Sequence, residues 1–273
     1  MKKHSVLKAA ALTAAAYTVS LRGRTKHPDL EILRRYRFAH RGYHDKPVVP
    51  ENSLPAFRRA IEHGWGAELD VHLMKDGTLA VIHDSSLLRT AGADVQIEDL
   101  TREGLENYRL EGTDERIPLF DEVLALFENT TPLIIELKAA NGNHFALSKA
   151  VCERLDSYKG VFCIESFDPM VVADVRELRP GICRGQLAEN FLKGKGALDP
   201  VRSVLATGLI GNALAKPDFI AFKFEDRSCI SNALCLKLWG IQGVAWTIRS
   251  KHDLLTAEAE GLIPIFEKFD PEA

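Results

Sequence analysis

From residue 37 onward, short apolar runs alternate with segments whose apolar residues recur every three or four positions, a pattern that predicts strands separated by amphipathic helices. The strand candidates are 37–41, 67–71, 133–138, 161–166, 181–187, 218–222, 243–247 and 262–266. Helices are expected over 121–127, 145–155, 169–178 and 250–260. An earlier one is capped by Asn52-Ser53, tolerates Pro55 in its first turn, carries a Leu54, Phe57, Ala60 and Ile61 stripe, and ends at Gly64. Eight βα units in about 240 residues match a TIM-type (β/α)8 barrel, whose active site lies at the C-terminal ends of its strands.

One stretch breaks the alternation. After the second strand, Asp76-Gly77 is a turn signal and 79–82 returns as an extended run, which predicts a hairpin that carries His83 back opposite Asp70. Residues 84–119, with a helix expected near 98–108, then form a small insertion, a lid or part of the substrate wall. The predicted class is therefore α/β: a TIM-type (β/α)8 barrel with a hairpin and a small insertion after the second strand.

Composition changes this picture little. An apolar fraction of 46% and a charged fraction of 27% describe an ordinary globular chain, and a net charge of −3 gives no reason to expect a nucleic-acid partner. The five cysteines form no CxxC pair and read as reduced thiols in apolar runs.

The first 27 residues stand apart as an apolar and basic segment, leaving 28–273 as the barrel domain. The run 6–21 holds Lys8 and is flanked by Lys2, Lys3, Arg22, Arg24 and Lys26. It would span about 24 Å as a helix, short of a hydrocarbon core of roughly 30 Å. Membrane anchor, surface-lying helix and signal peptide all remain open, the last disfavoured by the lack of a cleavage site before Arg22. The expected location is membrane-associated or cytoplasmic, with neither the side of the membrane nor the oligomeric state legible.

The chemistry concentrates between Phe38 and Asp84. Glu68 and Asp70 lie two apart on a strand and so point to one face, and Glu136 repeats the anomaly near another strand end. Each acid alone is explained by a nearby Arg or Lys or by solvent. Three converging within about 4 Å would repel by roughly 4 kcal/mol per pair and need a cation, for which oxygen ligands select Ca²⁺ or Mg²⁺. His40 and His83 each close an apolar run, and such a pair supplies one acid and one base for P–O cleavage. Arg41 and Lys138 offer positive charge for a phosphate. His4, His27, His44, His63, His72, His144 and His252 lack such a setting and are expected at the surface.

Phe38-Ala39-His40-Arg41-Gly42, Pro50-Glu51-Asn52-Ser53, Glu68-Leu69-Asp70-Val71, Lys75-Asp76-Gly77, His83-Asp84, Glu136-Leu137-Lys138 and Trp246-Thr247 together resemble the ordered signature of the glycerophosphodiester phosphodiesterases. The resemblance implies a barrel that hydrolyses a small-molecule glycerophosphodiester to glycerol 3-phosphate and an alcohol, with a divalent cation as cofactor. It implies His40 and His83 as the acid/base pair and Glu68, Asp70 and Glu136 as metal ligands, with Glu51 at the edge of the metal site. Arg41 and Lys138 would bind phosphate, and Trp246 would flank the glycerol. Many members end the last strand with Thr-Asp-x-Pro, whereas this chain has Ile265-Phe266-Glu267-Lys268-Phe269, which puts that wall in question. Two rivals are a lysophospholipase D-like enzyme acting on lipids and a catalytically silent, membrane-tethered binding module.

Overall fold

In the computed structural model, residues 2–193 and 198–273 are described, with side chains from residue 7 onward. Among the described residues there are nine strands: β1 Phe38–Ala39, β2 Gly66–Leu73, β3 Leu79–Val81, β4 Leu133–Leu137, β5 Phe162–Ser166, β6 Arg184–Ala188, β7 Phe219–Lys223, β8 Gln242–Ile248 and β9 Ile263–Phe266. Eight run parallel in the order β1, β2, β4, β5, β6, β7, β8, β9, and β1 pairs with both β2 and β9, closing the barrel. The closed TIM barrel predicted from the alternation is the observed fold.

Period-two alternation sorts the strand residues between two cores. Phe38, Ile134, Cys163, Leu187, Phe219, Val244 and Ile265 fill the interior, and Leu30 and Leu33 of helix Asp29–Leu33 join them. Leu69, Val71, Ile135, Leu137, Ile164, Ile220 and Ala245 face outward to meet Phe57, Phe120, Val151 and Val171 from the helices. Gly185 makes room for the Phe219 ring, since a Cβ there would lie 2.0 Å from it. The cysteines are unbridged and four of the five are buried.

The expected helices form as Leu54–Glu62, Phe120–Phe127, His144–Leu155, Pro169–Leu178 and Lys251–Ala259. Ser53 caps the first through its hydroxyl, which accepts from Ala56 N–H. The insertion builds its own small core from Met74, Ile82, Leu87, Ile97, Leu105 and Ile117. A short helix, Leu88–Ala91, comes first, and the stretch 98–108 holds two short pieces, Ile97–Asp99 and Arg102–Leu105, rather than one helix.

Helix Lys2–Ser20 and the stretch after it are tied to the barrel. The Tyr17 hydroxyl donates to Gly208 O and Trp239 Nε1 to Thr18 O, Leu21 is buried, and Arg24 clasps Asp218 with two bonds of 2.6 Å. No described helix is long and apolar enough to cross a membrane.

Candidate active site

The β2–β3 hairpin delivers its histidine with a shift of one residue from expectation. Val71 pairs with Val81 and Leu73 with Leu79, so Asp70 faces Ile82, whose N–H donates to Asp70 O, and His83 follows. The connection spans residues 74–78 and is centred on Asp76, not between Asp76 and Gly77. His72, expected at the surface, is instead buried. Its Nδ1 meets Glu98 at 2.7 Å and its Nε2 meets the carbonyl of His83 at 3.2 Å, so this ring holds the segment that carries His83. His27 and His44 also keep only 7% and 6% of their side-chain surface exposed, while His63 and His252 are exposed as expected and His144 is half-buried. The side chain of His4 lies outside the described residues.

The His-Arg-Gly turn has a steric reason. Arg41 and Gly42 both adopt left-handed backbone, with φ of 56° and 77°, and a Cβ on Gly42 would come within 2.9 Å of Ala56. The turn aims the Arg41 N–H at Glu68 Oε2, 3.0 Å away. In the Pro-Glu-Asn-Ser element, Asn52 Nδ2 donates to Asp70 Oδ2 at 2.8 Å. Glu51 accepts from Arg41 Nη1 at 2.9 Å and from Arg89 Nη2 at 2.6 Å, and it is also paired with Lys46. Three cations thus surround Glu51, which braces Arg41 rather than joining the other acids.

Glu68, Asp70 and Glu136 converge: one oxygen from each lies within 4.8 Å of the other two, and all three residues are buried. Strand register explains this, because Asp70 sits beside Glu136 and both point inward. Lys138 Nζ reaches Asp70 at 3.0 Å and Glu136 at 2.8 Å. Burial, together with the charges of Asp70 and Glu136, pushes Glu68 well above the usual carboxylate range. Burial likewise raises Glu136 to about 7 against the pull of Lys138. Asp70 goes the other way: burial would raise it, but Lys138, His83 and Arg41 hold it low. The separations fit one shared cation, since oxygens on a common ion are at most about 4.8 Å apart for metal–oxygen bonds of about 2.4 Å. Lys138 and the edge of the Arg41 guanidinium, whose Nε lies 3.5 Å from Asp70 Oδ2, leave the three carboxylates short of balance, and the oxygen donors present suit a hard divalent ion.

Each histidine has a carboxylate behind it. His40 Nδ1 lies 2.7 Å from Glu267 Oε2, and His83 Nδ1 lies 2.5 Å from Asp84 Oδ1. Burial lowers His40 to about 4, with Glu267 opposing and Arg41 adding to the shift, though 15% of the ring's side-chain surface still meets solvent. Burial, Lys138 and Arg41 also lower His83, which Asp70 and Asp84 partly offset. With Nδ1–H donated to its carboxylate, each ring keeps an Nε2 lone pair, and that of His40 faces Glu68 at 3.9 Å.

Two groups at the site escaped the sequence reading of chemistry. Glu267 was noticed only as a departure at the last strand, yet it follows Ile263 and Ile265 in the inward phase of β9. Glu165 pairs in register with Glu136 on β5 and is buried, and burial and the Glu136 charge push it well above the usual range. Trp246, at the C-terminal end of β8, meets Phe167 edge-on with ring centroids 5.7 Å apart. Its Nε1 and Arg41 Nε are buried donors without a hydrogen-bond acceptor.

A (β/α)8 barrel whose mouth gathers three converging acids and two carboxylate-backed histidines holds groups that could bind a cation and an anionic ligand at the strand ends. The chain belongs to the Glycerophosphoryl diester phosphodiesterase family, whose sequence pattern matches residues 40–266. A glycerophosphodiester phosphodiesterase of Caldanaerobacter subterraneus is 36% identical over 161 residues, covering 55% of this chain and 65% of that protein. Human lysophospholipase D GDPD1 is 37% identical over 121 residues, 40% of this chain and 37% of that one. The matched stretches span less than two thirds of these relatives' lengths. The crystal structure of the Thermotoga maritima glycerophosphodiester phosphodiesterase superposes with a TM-score of 0.63 at 26% identity, covering 85% of this chain and 94% of that one. A phosphodiesterase of Oleispira antarctica, in complex with sn-glycerol-3-phosphate, has the same fold, with a TM-score of 0.67 at 23% identity and coverage of 85% and 92%.

Proposed function

We propose that this protein hydrolyses glycerophosphodiesters to glycerol 3-phosphate and an alcohol, with His40 and His83 as acid and base and Glu68, Asp70 and Glu136 holding a divalent cation. The observation that carries the reading is the convergence of those three carboxylates between two carboxylate-backed histidines, in a member of this family. A bound Ca²⁺ or Mg²⁺ would neutralise the carboxylates and polarise a phosphate oxygen.

The chain's own groups do the rest. Arg41 Nε, 3.5 Å from Asp70 Oδ2 and without a hydrogen-bond acceptor, gains one when a phosphate oxygen arrives. Lys138 adds charge to the same region, and Trp246 Nε1 is free to donate to a glycerol oxygen. Nε2 of one histidine removes a proton from the attacking oxygen while the other protonates the leaving alcohol. The attacking oxygen belongs to water or to the neighbouring glycerol hydroxyl, the latter through a cyclic phosphate. Glu51 serves as the brace of Arg41 and Arg89.

Residues 28–273 constitute the catalytic domain in this reading, and the N-terminal helix is a membrane-associating segment packed on it; failure of the full chain to co-sediment with anionic vesicles would discard that association. The function is tested by assaying glycerophosphocholine and related diesters with Ca²⁺, Mg²⁺ or chelator. Turnover should need the cation and fall by at least about 100-fold in His40→Ala and in His83→Ala. Near-wild-type hydrolysis by either variant would sink the histidine assignment, and binding without turnover would favour a silent module.

A further inference from the structure

Charged side chains sew the insertion to the catalytic mouth. Glu98 meets His72 at 2.7 Å, Glu111 meets Lys46 at 2.8 Å, and Arg89 meets both Asp84 and Glu51. Arg89 holds the central place. It lies on the short helix Leu88–Ala91, between the buried Leu87 and Thr90, and the Glu111 N–H donates to Thr90 O at 2.6 Å. From that seat Arg89 Nε donates to Asp84 Oδ2 at 2.5 Å and Nη2 donates to Glu51 Oε1 at 2.6 Å. The same Glu51 oxygen accepts from Arg41 Nη1, and the other Asp84 oxygen faces His83 Nδ1. A continuous line of hydrogen bonds therefore runs through His83, Asp84, Arg89, Glu51 and Arg41.

We infer that Arg89 is a positioning residue that fixes the acid/base His83 relative to the phosphate-binding Arg41, and that the insertion is a buttress of the mouth. This rests on the phosphodiesterase reading above, in which His83 moves a proton and Arg41 meets the phosphate. The side chains of Asp84 and Arg89 are 30% and 43% exposed, so packing alone holds neither, and a pair so open to water is weak by itself. Glu51 is 5% exposed and already fixed from the barrel side by Arg41 and Lys46. The bond from Arg89 to Glu51 thus anchors the exposed pair, and with it the carboxylate behind His83, to a rigid point. A guanidinium suits this place because its N–H groups leave a plane in fixed directions and serve two carboxylates at once, whereas an ammonium is a point charge on a flexible stem.

The test measures glycerophosphocholine hydrolysis with the cation present, and circular dichroism checks each variant. Arg89→Ala should lower kcat about 30-fold, inside the roughly 10–100-fold seen for partners that orient a functional imidazole. It should also raise KM by about threefold or more, because Arg41 loses its brace, whereas Asp84→Asn acts through His83 alone and should keep KM within about twofold of wild type. Adding Arg89→Ala to an Asp84→Asn, Glu51→Gln double variant should cost less than about threefold further, since both partners are already gone. Guanidinium at millimolar concentration should restore much of the lost kcat to Arg89→Ala through the open side of the site, and methylammonium should not. A folded Arg89→Ala enzyme within threefold of wild type, an undiminished loss in the double variant, or rescue equal for the two cations would overturn the proposal. If Arg89→Ala does not fold, Arg89→Lys, which keeps the charge, decides: a kcat loss of at least about tenfold supports the role and a wild-type rate refutes it. Arg116→Ala breaks only surface pairs to Glu106 and Glu122 in the same region and should behave as wild type; a loss equal to that of Arg89→Ala would mean general loosening, against the proposal. Absence of turnover in wild type would instead strike the underlying reading. Calorimetric binding of sn-glycerol 3-phosphate with Ca²⁺ then decides for Arg89, with weaker binding by Arg89→Ala supporting the brace and unchanged binding refuting it.

Discussion

Glu267→Gln isolates what the carboxylate behind His40 contributes. The side chain is nearly buried, accepts from His40 Nδ1 at 2.7 Å and from Arg249 Nε at 2.8 Å, and lies 3.9 Å from His44 Nε2. A hydrogen bond to a charged group is worth about 1.5–3 kcal/mol. The amide also ceases to dictate which ring nitrogen carries the proton. Taking about 2 kcal/mol for the lost orientation gives roughly a 30-fold fall in kcat, and partners that orient a functional imidazole cost about 10–100-fold when removed. KM should change by less than about threefold, because Glu267 acts through His40 and makes no proposed contact with substrate. Arg249→Ala is the control: it breaks the Arg249 ion pair, half-exposed and worth at most about 1 kcal/mol, and leaves the His40 contact in place. The assay is choline release from glycerophosphocholine, with circular dichroism to confirm folding. A folded Glu267→Gln enzyme within threefold of wild-type kcat would refute the positioning role, as would Arg249→Ala losing as much as Glu267→Gln.

Two further outcomes are expected. Ca²⁺ or Mg²⁺ at about 100 times its dissociation constant should stabilise the fold by about 2.7 kcal/mol, a rise in Tm on the order of 5 °C that Asp70→Asn abolishes; an equal rise in the variant would move the cation away from this cluster. For Glu51, burial would raise the carboxyl, but Arg89, Arg41 and Lys46 hold it well below the usual range, so its stabilisation is present above the unfolded value of about 4.3 and is lost as pH falls below that. Glu51→Gln should therefore cost on the order of 2 kcal/mol at pH 7 in urea unfolding and progressively less towards pH 3; a gap that widens in acid would contradict the three-cation pairing.

How much of this was legible depended on period two. The alternation in β2 exposed Glu68 and Asp70 as inward acids, and the eight apolar runs sufficed for the barrel. The same rule would have reached Glu267 through Ile263 and Ile265, Glu165 through Cys163, and the buried His72 through Asp70. Glu267 stands out in the sequence only as a departure from the family's terminal pattern, which hides its strand phase, and His72 lies beyond the expected end of its strand at residue 71. The one-residue shift of His83 arose because a hairpin register depends on the length of its connection, and Asp-Gly alone does not say whether two residues or five make the turn.

The mouth sorts its acids by what surrounds them. Burial alone would raise Glu51, Asp84 and Glu267, but Arg89 and Arg41 with Lys46 hold Glu51, Arg89 and His83 hold Asp84, and His40, His44 and Arg249 hold Glu267 below the usual carboxylate range. Each fixes another working group: Glu51 the Arg41 guanidinium, Asp84 the His83 ring, Glu267 the His40 ring. Glu68, Glu136 and Glu165 are raised, because burial and mutual repulsion exceed the compensation they receive. The division follows the topology. The braces stand on loops or at a strand's end, where long arginine side chains can reach from neighbouring segments, whereas the raised acids sit at inward positions of the adjacent strands β2, β4 and β5, where the barrel wall excludes all but Lys138 and the edge of Arg41. An acid placed there destabilises the fold unless a small cation enters from the open end, and that is the physical reason to expect metal binding and stability to rise together in this protein.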